Sequence, residues 1–472
     1  MTTAEFLSLL HQCPLIASVQ AAEDSPVSHP ETLANLAAAS KNQGVQVLRM
    51  QGVQNISAAR SATRLPLIGL IKRHYEDSPV YITATLREVQ ELDTEVIALD
   101  GTPRKRPHGE QLADLICAAH KKGALVLADI DAVDSARFAA EAGADFLSTT
   151  LSGYTETSVS QDGPDLELLR QVVSATDLPV LAEGRFDQPW QVEAALRIGA
   201  SGVVVGGALN DADKNTRRFL PRRAIAGRVG AVDIGGTWLR FGTFSDDWKL
   251  LECDRVLNPA SRGDRLAWIR HQLDRAHVTS LGVSTGGIVD PRSGEVWTAK
   301  EYLMPDHIGI RFDAETLGVP TYAHGDGHAT AWGHACLPEF AGKRVATLAL
   351  GTGVGCGFVQ DHRIWSGRRG EYPRINDLPA PGGSTYEDLL GGINLTSLPT
   401  DDQKARAVIA LQGAIKAIRD LYFPDEVVIA GSVGLSGWLD PTLQLNGVKP
   451  SPFGSDAGIY GAAALALFPS YR

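Results

Sequence analysis

The sequence predicts an α/β chain of two successive domains, a parallel (β/α)8 barrel followed by a two-lobed α/β domain. Three observations carry this. The chain has 472 residues, about three times a common domain length, so more than one core is expected. Between residues 14 and 207, short β-branched runs alternate with longer Ala/Leu/Glu-rich stretches of helical character. After residue 228 the rhythm changes to apolar run, Gly-rich turn and apolar run, and this module occurs twice.

The early runs are PLIASVQ, VQVLRM, PLIGLIKR, VIALD, ALVLADI, FLSTT, PVLAEG and GVVVGG, beginning at residues 14, 45, 66, 96, 124, 146, 179 and 202. A mean spacing of about 27 residues suits one strand and one crossover helix. An open doubly wound sheet could use the same units, but it usually has about six strands, and no GxGxxG follows the first run. Eight units favour ring closure over residues 1–222.

Barrel chemistry sits at the carboxyl ends of the strands. Gln20, Arg49, Lys72, Asp100, Asp129, Thr150 and Glu183 close the first seven runs, and Gly206 with Gly207 closes the eighth. One such residue could cap a rim; seven together point to a site. Gly184, Gly206 and Gly207 follow the last two strands, where backbone amides can approach an anion, so a phosphorylated substrate is predicted. Lys72 and Glu183 fall on opposite sides of the ring and could flank a ligand from two faces, removing a proton on one and returning one on the other. A lysine base needs its pKa drawn below about 10.4, for which Arg49, Arg73 and partial burial are available causes. A phosphate-positioning cation is the competing role for Lys72.

In the second half, VGAVDIGGTWLRFGTF (229–244) sets Asp233 beside the amides of Gly235 and Gly236 and the hydroxyl of Thr237, a combination able to hold a metal–nucleotide phosphate tail. VATLALGTGVGCGFV (345–359) adds Gly351, Thr352 and Gly353, and AGSVG (430–434) adds a turn at Gly431. Any one of these loops could be a plain turn. Their repetition predicts a two-lobed kinase fold over 229–472 holding ATP and Mg2+ between its lobes. Transfer of a phosphoryl group to a hydroxyl needs positioning and one carboxylate to take the alcohol proton. Asp326, in TYAHGDGHATAWGHA after the strand-like VPTYA, is the candidate. His324 and His328 beside it read as a polar loop, and no protein metal site is predicted.

Composition limits the alternatives. Apolar residues make up 44% and charged residues 21%, without low-complexity runs, which excludes disordered and collagen-like classes. The net charge of −11, with no basic block, argues against nucleic acid. Cys13, Cys117, Cys253, Cys336 and Cys356 form no CxxC pair, which suits a reducing compartment. No basic n-region precedes the first apolar residues and no run of 18 apolar residues occurs. A soluble, cytoplasmic protein is expected, without membrane partners and assembling as a homo-oligomer.

LIASVQ, EDSPV (23–27), LRMQGV, LIGLIKR, EDSPVYITA (76–84), ALDGT, STTLSGYT and LAEGR together resemble N-acetylmannosamine-6-phosphate 2-epimerases over nearly all of residues 1–220. The resemblance implies Lys72 and Glu183 as the acid/base pair and Gln20, Arg49, Asp129 and Arg185 as substrate contacts. It implies that the proton beside the C1 aldehyde of the open-chain sugar is removed and its enolate stabilised by nearby cations or amides. One departure is GGALND (206–211), where the family carries Gly-Ser-Ala-Ile-Thr-Arg, so a cationic phosphate contact is missing.

The second half resembles the ROK sugar kinases of the actin/hexokinase-like group. STGGIVD (284–290), with Ser284, Gly286 and Gly287, is similar to the sugar-facing loop of N-acetylmannosamine kinases, and AGSVGLSGWLD and SDAGIYGAAALA fit that subgroup. The resemblance implies that Glu371 and Glu387 hold sugar hydroxyls and that Asp326 matches the aspartate of an Asn-Asp-Ala segment. GEYPRINDLPAPGGSTYEDLL (370–390) stands where most such kinases carry a Gly-His and a zinc-binding CxCGxxGC cluster. Arg374 takes the histidine's position and Gly325 that of the asparagine, losing one sugar hydrogen bond of about 0.5–1.5 kcal/mol. The expectation is a bifunctional enzyme of sialic acid breakdown acting on amino sugars and their phosphates. The rivals are an active epimerase joined to an impaired or differently specific kinase module, and a sugar-responsive regulator, which would need a DNA-reading helix-turn-helix ahead of the kinase-like region.

Overall fold

In the computed structural model the eight runs form strands β1 (Leu15–Val19), β2 (Val47–Gln51), β3 (Leu67–Leu70), β4 (Val96–Asp100), β5 (Leu125–Asp129), β6 (Phe146–Ser148), β7 (Val180–Glu183) and β8 (Gly202–Val205). Each pairs in parallel with the next, and β8 pairs with β1, so the sheet closes as a TIM barrel. The structure describes all residues except 23, 160, 221–226, 373, 381, 396–398 and 469–472. Two compact units result, Met1–Leu220 and Pro221–Arg472. The basic, Gly-containing stretch PRRAIAGR (221–228) reads from its composition as a connector, and its residues 221–226 lie outside the described residues.

The strand period of two divides each barrel strand between two cores. In β4, Val96 and Ala98 join the interior with Ile16, Leu127, Phe146 and Leu181, while Ile97 and Leu99 pack outward with helix residues such as Leu115 and Ile116. Both faces are dry, which is why the runs read as continuously apolar. The helix Thr3–Gln12 begins with a capping box between Thr2 and Glu5. It contributes Phe6 and Leu10 to the interior, where the Phe6 ring meets Phe146 edge-on at 5.0 Å. This helix precedes the repeating units, and its one signal in the sequence is the Thr2-to-Glu5 spacing of the capping box.

The second unit contains β9 (Val229–Ile234), β10 (Trp238–Phe244), β11 (Leu250–Leu257), β12 (Ser280–Thr285), β13 (Ile288–Val289), β14 (Val296–Thr298), β15 (Thr321–Gly325), β16 (Val345–Leu350), β17 (Val354–Gln360), β18 (Arg363–Ile364), β19 (Glu426–Ala430) and β20 (Lys449–Pro450). Its two main sheets have the orders β11-β10-β9-β12-β15 and β18-β17-β16-β19-β20. Each joins three antiparallel strands to two further parallel ones. The sequence repeat is therefore a topological repeat, and the two Gly-rich turns are the tips of equivalent hairpins.

Helix Asp326–Ala335 packs on β17 and on helix Ala457–Leu467, which lies in turn on β9 and β12. Small residues permit this closeness: a Cβ on Gly282 of β12 would stand 1.7 Å from the Ala462 carbonyl oxygen. The obstacle is backbone, which cannot rotate away. Gly282→Ala should cost the second unit about 3 kcal/mol, read as a lowered melting temperature of that unit in the full chain. Melting within about 1 °C of the parent would contradict this packing.

Candidate active sites

At the carboxyl end of the barrel strands lies a cavity of about 330 Å³ lined by Ser18, Gln20, Arg49, Lys72, Glu183 and Arg185, with Gly184, Gly206 and Gly207. Lys72, just past β3, donates to Gln20 Oε1 at 2.9 Å, and Gln20 donates to Ser18 Oγ at 2.9 Å. Although solvent reaches it through the open mouth, the surrounding protein desolvates the ammonium, and Arg49 repels it; both lower its pKa against the pull of Glu183 and Asp129. Arg73 plays no part in this, contrary to expectation. As the next residue along the chain it turns elsewhere, to Glu88 and Glu91.

Glu183 ends β7. Burial raises its pKa, as does Asp129, while Arg49, Thr150 and Lys72 oppose the rise. Arg49 sits within β2, fully buried, bidentate to Asp129 at 2.6 and 3.0 Å and bound to Glu183 Oε2 at 2.8 Å. Burial works against its charge, yet the two carboxylates outweigh burial and raise its pKa. Asp129, expected at the substrate, is buried beneath Arg49 instead, where Thr150 also donates to it at 2.6 Å. Arg185, at φ 57°, donates to the Gly163 and Ser152 carbonyls at 2.7 and 2.6 Å. Gly184, at φ 110°, makes the turn before it.

In the second unit a cleft of about 700 Å³ is lined by residues of both hairpin tips, among them Gly235, Gly236, Thr237, Gly351, Thr352 and Gly353, together with Gly431. Thr237 and Thr352 hydroxyls lie 3.1 Å apart, so the tips face one another. Asp326, at the first position of its helix, lines the same cleft. Burial raises its pKa to about 6; Asp233 and Glu387 add to the rise, and the Gly327 amide and Lys300 resist it. Gly286, Gly287 and Glu387 reach the cleft as expected. Glu387 accepts from the Val354 amide at 3.1 Å and pairs with Lys300 at 3.2 Å.

Two expected contacts lie outside the cleft, and a third lines it with its carboxylate already engaged. Ser284 is fully buried and donates to Asp233 Oδ1 at 3.0 Å, so it orients that carboxylate. Glu371 turns back to the Arg369 amide at 2.7 Å and is not among the cleft residues. Asp233 lines the cleft, but its other oxygen takes both Nε and Nη2 of Arg240 at 3.0 and 2.5 Å. His328 packs edge-on to Tyr372 at 4.8 Å, and burial lowers its pKa to about 4.

A family model described as "Putative N-acetylmannosamine-6-phosphate epimerase" matches residues 33–224, and one for the ROK family matches 229–376. The chain is 31% identical over 504 aligned positions to the bifunctional enzyme NanE/NanK of Brucella melitensis biotype 1, covering 96% of each protein. It belongs to the NanE/NanK family. The solved N-acetylmannosamine-6-phosphate 2-epimerase from Clostridium perfringens is 43% identical, with a TM-score of 0.44 over 45% of this chain and 94% of that one. A ROK glucokinase from Streptomyces griseus, solved with glucose and AMPPNP, is 17% identical with a TM-score of 0.44 over 51% of this chain and 99% of that one.

As a NanE/NanK protein the chain carries isomerase and transferase units in series, and a closed barrel stands where the regulator reading required a helix-turn-helix. Among the described residues no helix is long and apolar enough to cross a membrane. Sequence reasoning missed several cavity residues of this NanE/NanK chain. Tyr81, Tyr154 and Lys214 line the barrel cavity, and Arg240, Lys300, Tyr372 and Asp456 the kinase cleft. Arg240 could have been found by alternation along β10, since it lies directly across from Asp233. Lys300 sits in a segment without a motif.

Proposed function

We propose that the kinase unit transfers the γ-phosphoryl group of ATP to O6 of N-acetylmannosamine, and that the barrel inverts C2 of the product to give N-acetylglucosamine 6-phosphate, steps that belong to sialic acid breakdown. The observation that carries the epimerase half is the convergence of Lys72 and Glu183 on one cavity, with the lysine pKa lowered and the glutamate pKa raised. Free side chains differ by about six pKa units, so moving a proton from glutamate to lysine through the substrate couples states about 8 kcal/mol apart. Opposite shifts bring those two states closer in energy. One residue then takes the C2 proton on one face and the other supplies a proton on the opposite face, in either direction.

In the kinase half Asp326 accepts the proton of the sugar hydroxyl, Glu387 contacts the sugar, and the Gly-rich tips with Thr237 and Thr352 hold the nucleotide phosphates. The donor set suits a nucleotide but does not form a magnesium cage: both Asp233 oxygens are engaged by Arg240 and Ser284, and among the described residues no group of three metal-binding side chains occurs. A magnesium ion is therefore expected to arrive on the ATP phosphates. Gly325 favours a shaped rather than an impaired acceptor site, because a Cβ there would lie 2.9 Å from the Gly287 carbonyl. The full chain, given N-acetylmannosamine, magnesium and ATP in heavy water, should yield N-acetylglucosamine 6-phosphate labelled at C2. ATP use that does not depend on the sugar would defeat the kinase assignment, and an unlabelled C2 the epimerase assignment.

A further inference from the structure

A phosphate ester in the barrel cavity needs a cation free to meet it. Arg49, Lys72, Arg185 and Lys214 line that cavity. Three are committed: Arg49 to Asp129 and Glu183, Lys72 to Gln20, and Arg185 to two carbonyls with its guanidinium 5.3 Å from the centre of the Tyr154 ring. Among the described residues, none accepts a hydrogen bond from the Lys214 ammonium or pairs with it. The chain places this side chain by a local device. Asp211 caps the helix Ala212–Phe219 by accepting the Lys214 amide at 2.8 Å. That puts Lys214 in the first turn, and helical side chains lean toward the N-terminus. Its ammonium accordingly lies over Gly207, 3.2 Å from where a Cβ would stand. The helix is anchored further by Ser25 Oγ on Asp213, and the preceding turn, Gly207–Asn210, by Asn210 donating to the Ser18 carbonyl at 3.0 Å.

We propose that Lys214 is the phosphate-binding cation of the barrel, closing an anion site with the amides of Gly206 and Gly207. This rests on the epimerase reading of the cavity. The test compares the full-length protein with Lys214→Met and Lys214→Arg, measuring affinity for N-acetylglucosamine 6-phosphate, inhibition of epimerisation by inorganic phosphate, and epimerase kinetics. Lys214→Met should weaken sugar phosphate binding and raise KM by about 10- to 100-fold, with kcat changed less than about threefold. The inhibition constant of inorganic phosphate should rise in parallel, and Lys214→Arg should restore most of both. Binding and KM within about twofold of the parent in Lys214→Met would overturn the assignment. Because binding is read separately from turnover, a parent protein that binds the sugar phosphate without epimerising it would discard the epimerase reading while Lys214 is still judged by its affinity.

Discussion

Lys72→Met should lower the epimerisation rate by about 10²- to 10⁴-fold, the usual contribution of a positioned acid/base group, and abolish exchange of the C2 proton with solvent. The geometry explains why the loss is chemical. Lys72 is held by Gln20 in a cavity that desolvates it beside the Arg49 charge, conditions that raise the neutral fraction of the amine at working pH. Lys72→Arg separates the two roles open to this residue. Arginine keeps the charge and the donors but cannot give up its proton in this range, so it would preserve an anion contact and fail as a base. We expect Lys72→Arg to be as inactive as Lys72→Met, with sugar phosphate binding kept within about tenfold. Activity above about a tenth of the parent in the arginine variant would reassign Lys72 to phosphate positioning. Kinase turnover should be unchanged in both variants, since Lys72 lies in the other compact unit.

The barrel was legible because its signals are local and repeated. Each apolar run is buried on two faces and the first seven end in a polar residue, so the eight strands and the convergence of Gln20, Lys72 and Glu183 follow from periodicity and fold geometry. What periodicity cannot convey is which polar group meets the ligand and which supports it. Arg49 and Asp129 are both strand residues at the carboxyl end, yet Arg49 binds two carboxylates and Asp129 lies beneath it, fully buried. Only a third dimension separates them. The same holds for Ser284, whose hydroxyl serves Asp233, and for Glu371, whose carboxylate folds onto its own loop. Lys214 was hidden for a different reason: no motif surrounds it, and it reaches the cavity only because it lies in the first turn of a helix whose side chains lean over Gly207.

Asp326→Asn should reduce phosphoryl transfer by about 10²- to 10⁴-fold and leave epimerisation of supplied sugar phosphate intact. The unmodified enzyme should already display the carboxylate in its pH profile. Burial near Asp233 and Glu387 raises the Asp326 pKa to about 6, and the ionised form is the one that can accept the hydroxyl proton. The kinase kcat/KM should therefore be level above about pH 7 and fall roughly tenfold per unit well below pH 6. The stability effect has the opposite sense. A carboxyl whose pKa is raised by folding stabilises the native state below its unfolded value near 3.9, and that contribution is lost as pH rises through about 6. At neutral pH the charge is thus held at a cost, and Asp326→Asn should melt at the same temperature or higher while losing activity. Lys300 works against the rise, so Lys300→Met should move the acid limb toward alkaline pH. A profile flat from pH 5 to 8, or an asparagine variant retaining more than about a tenth of the parent rate, would remove Asp326 from the role of base.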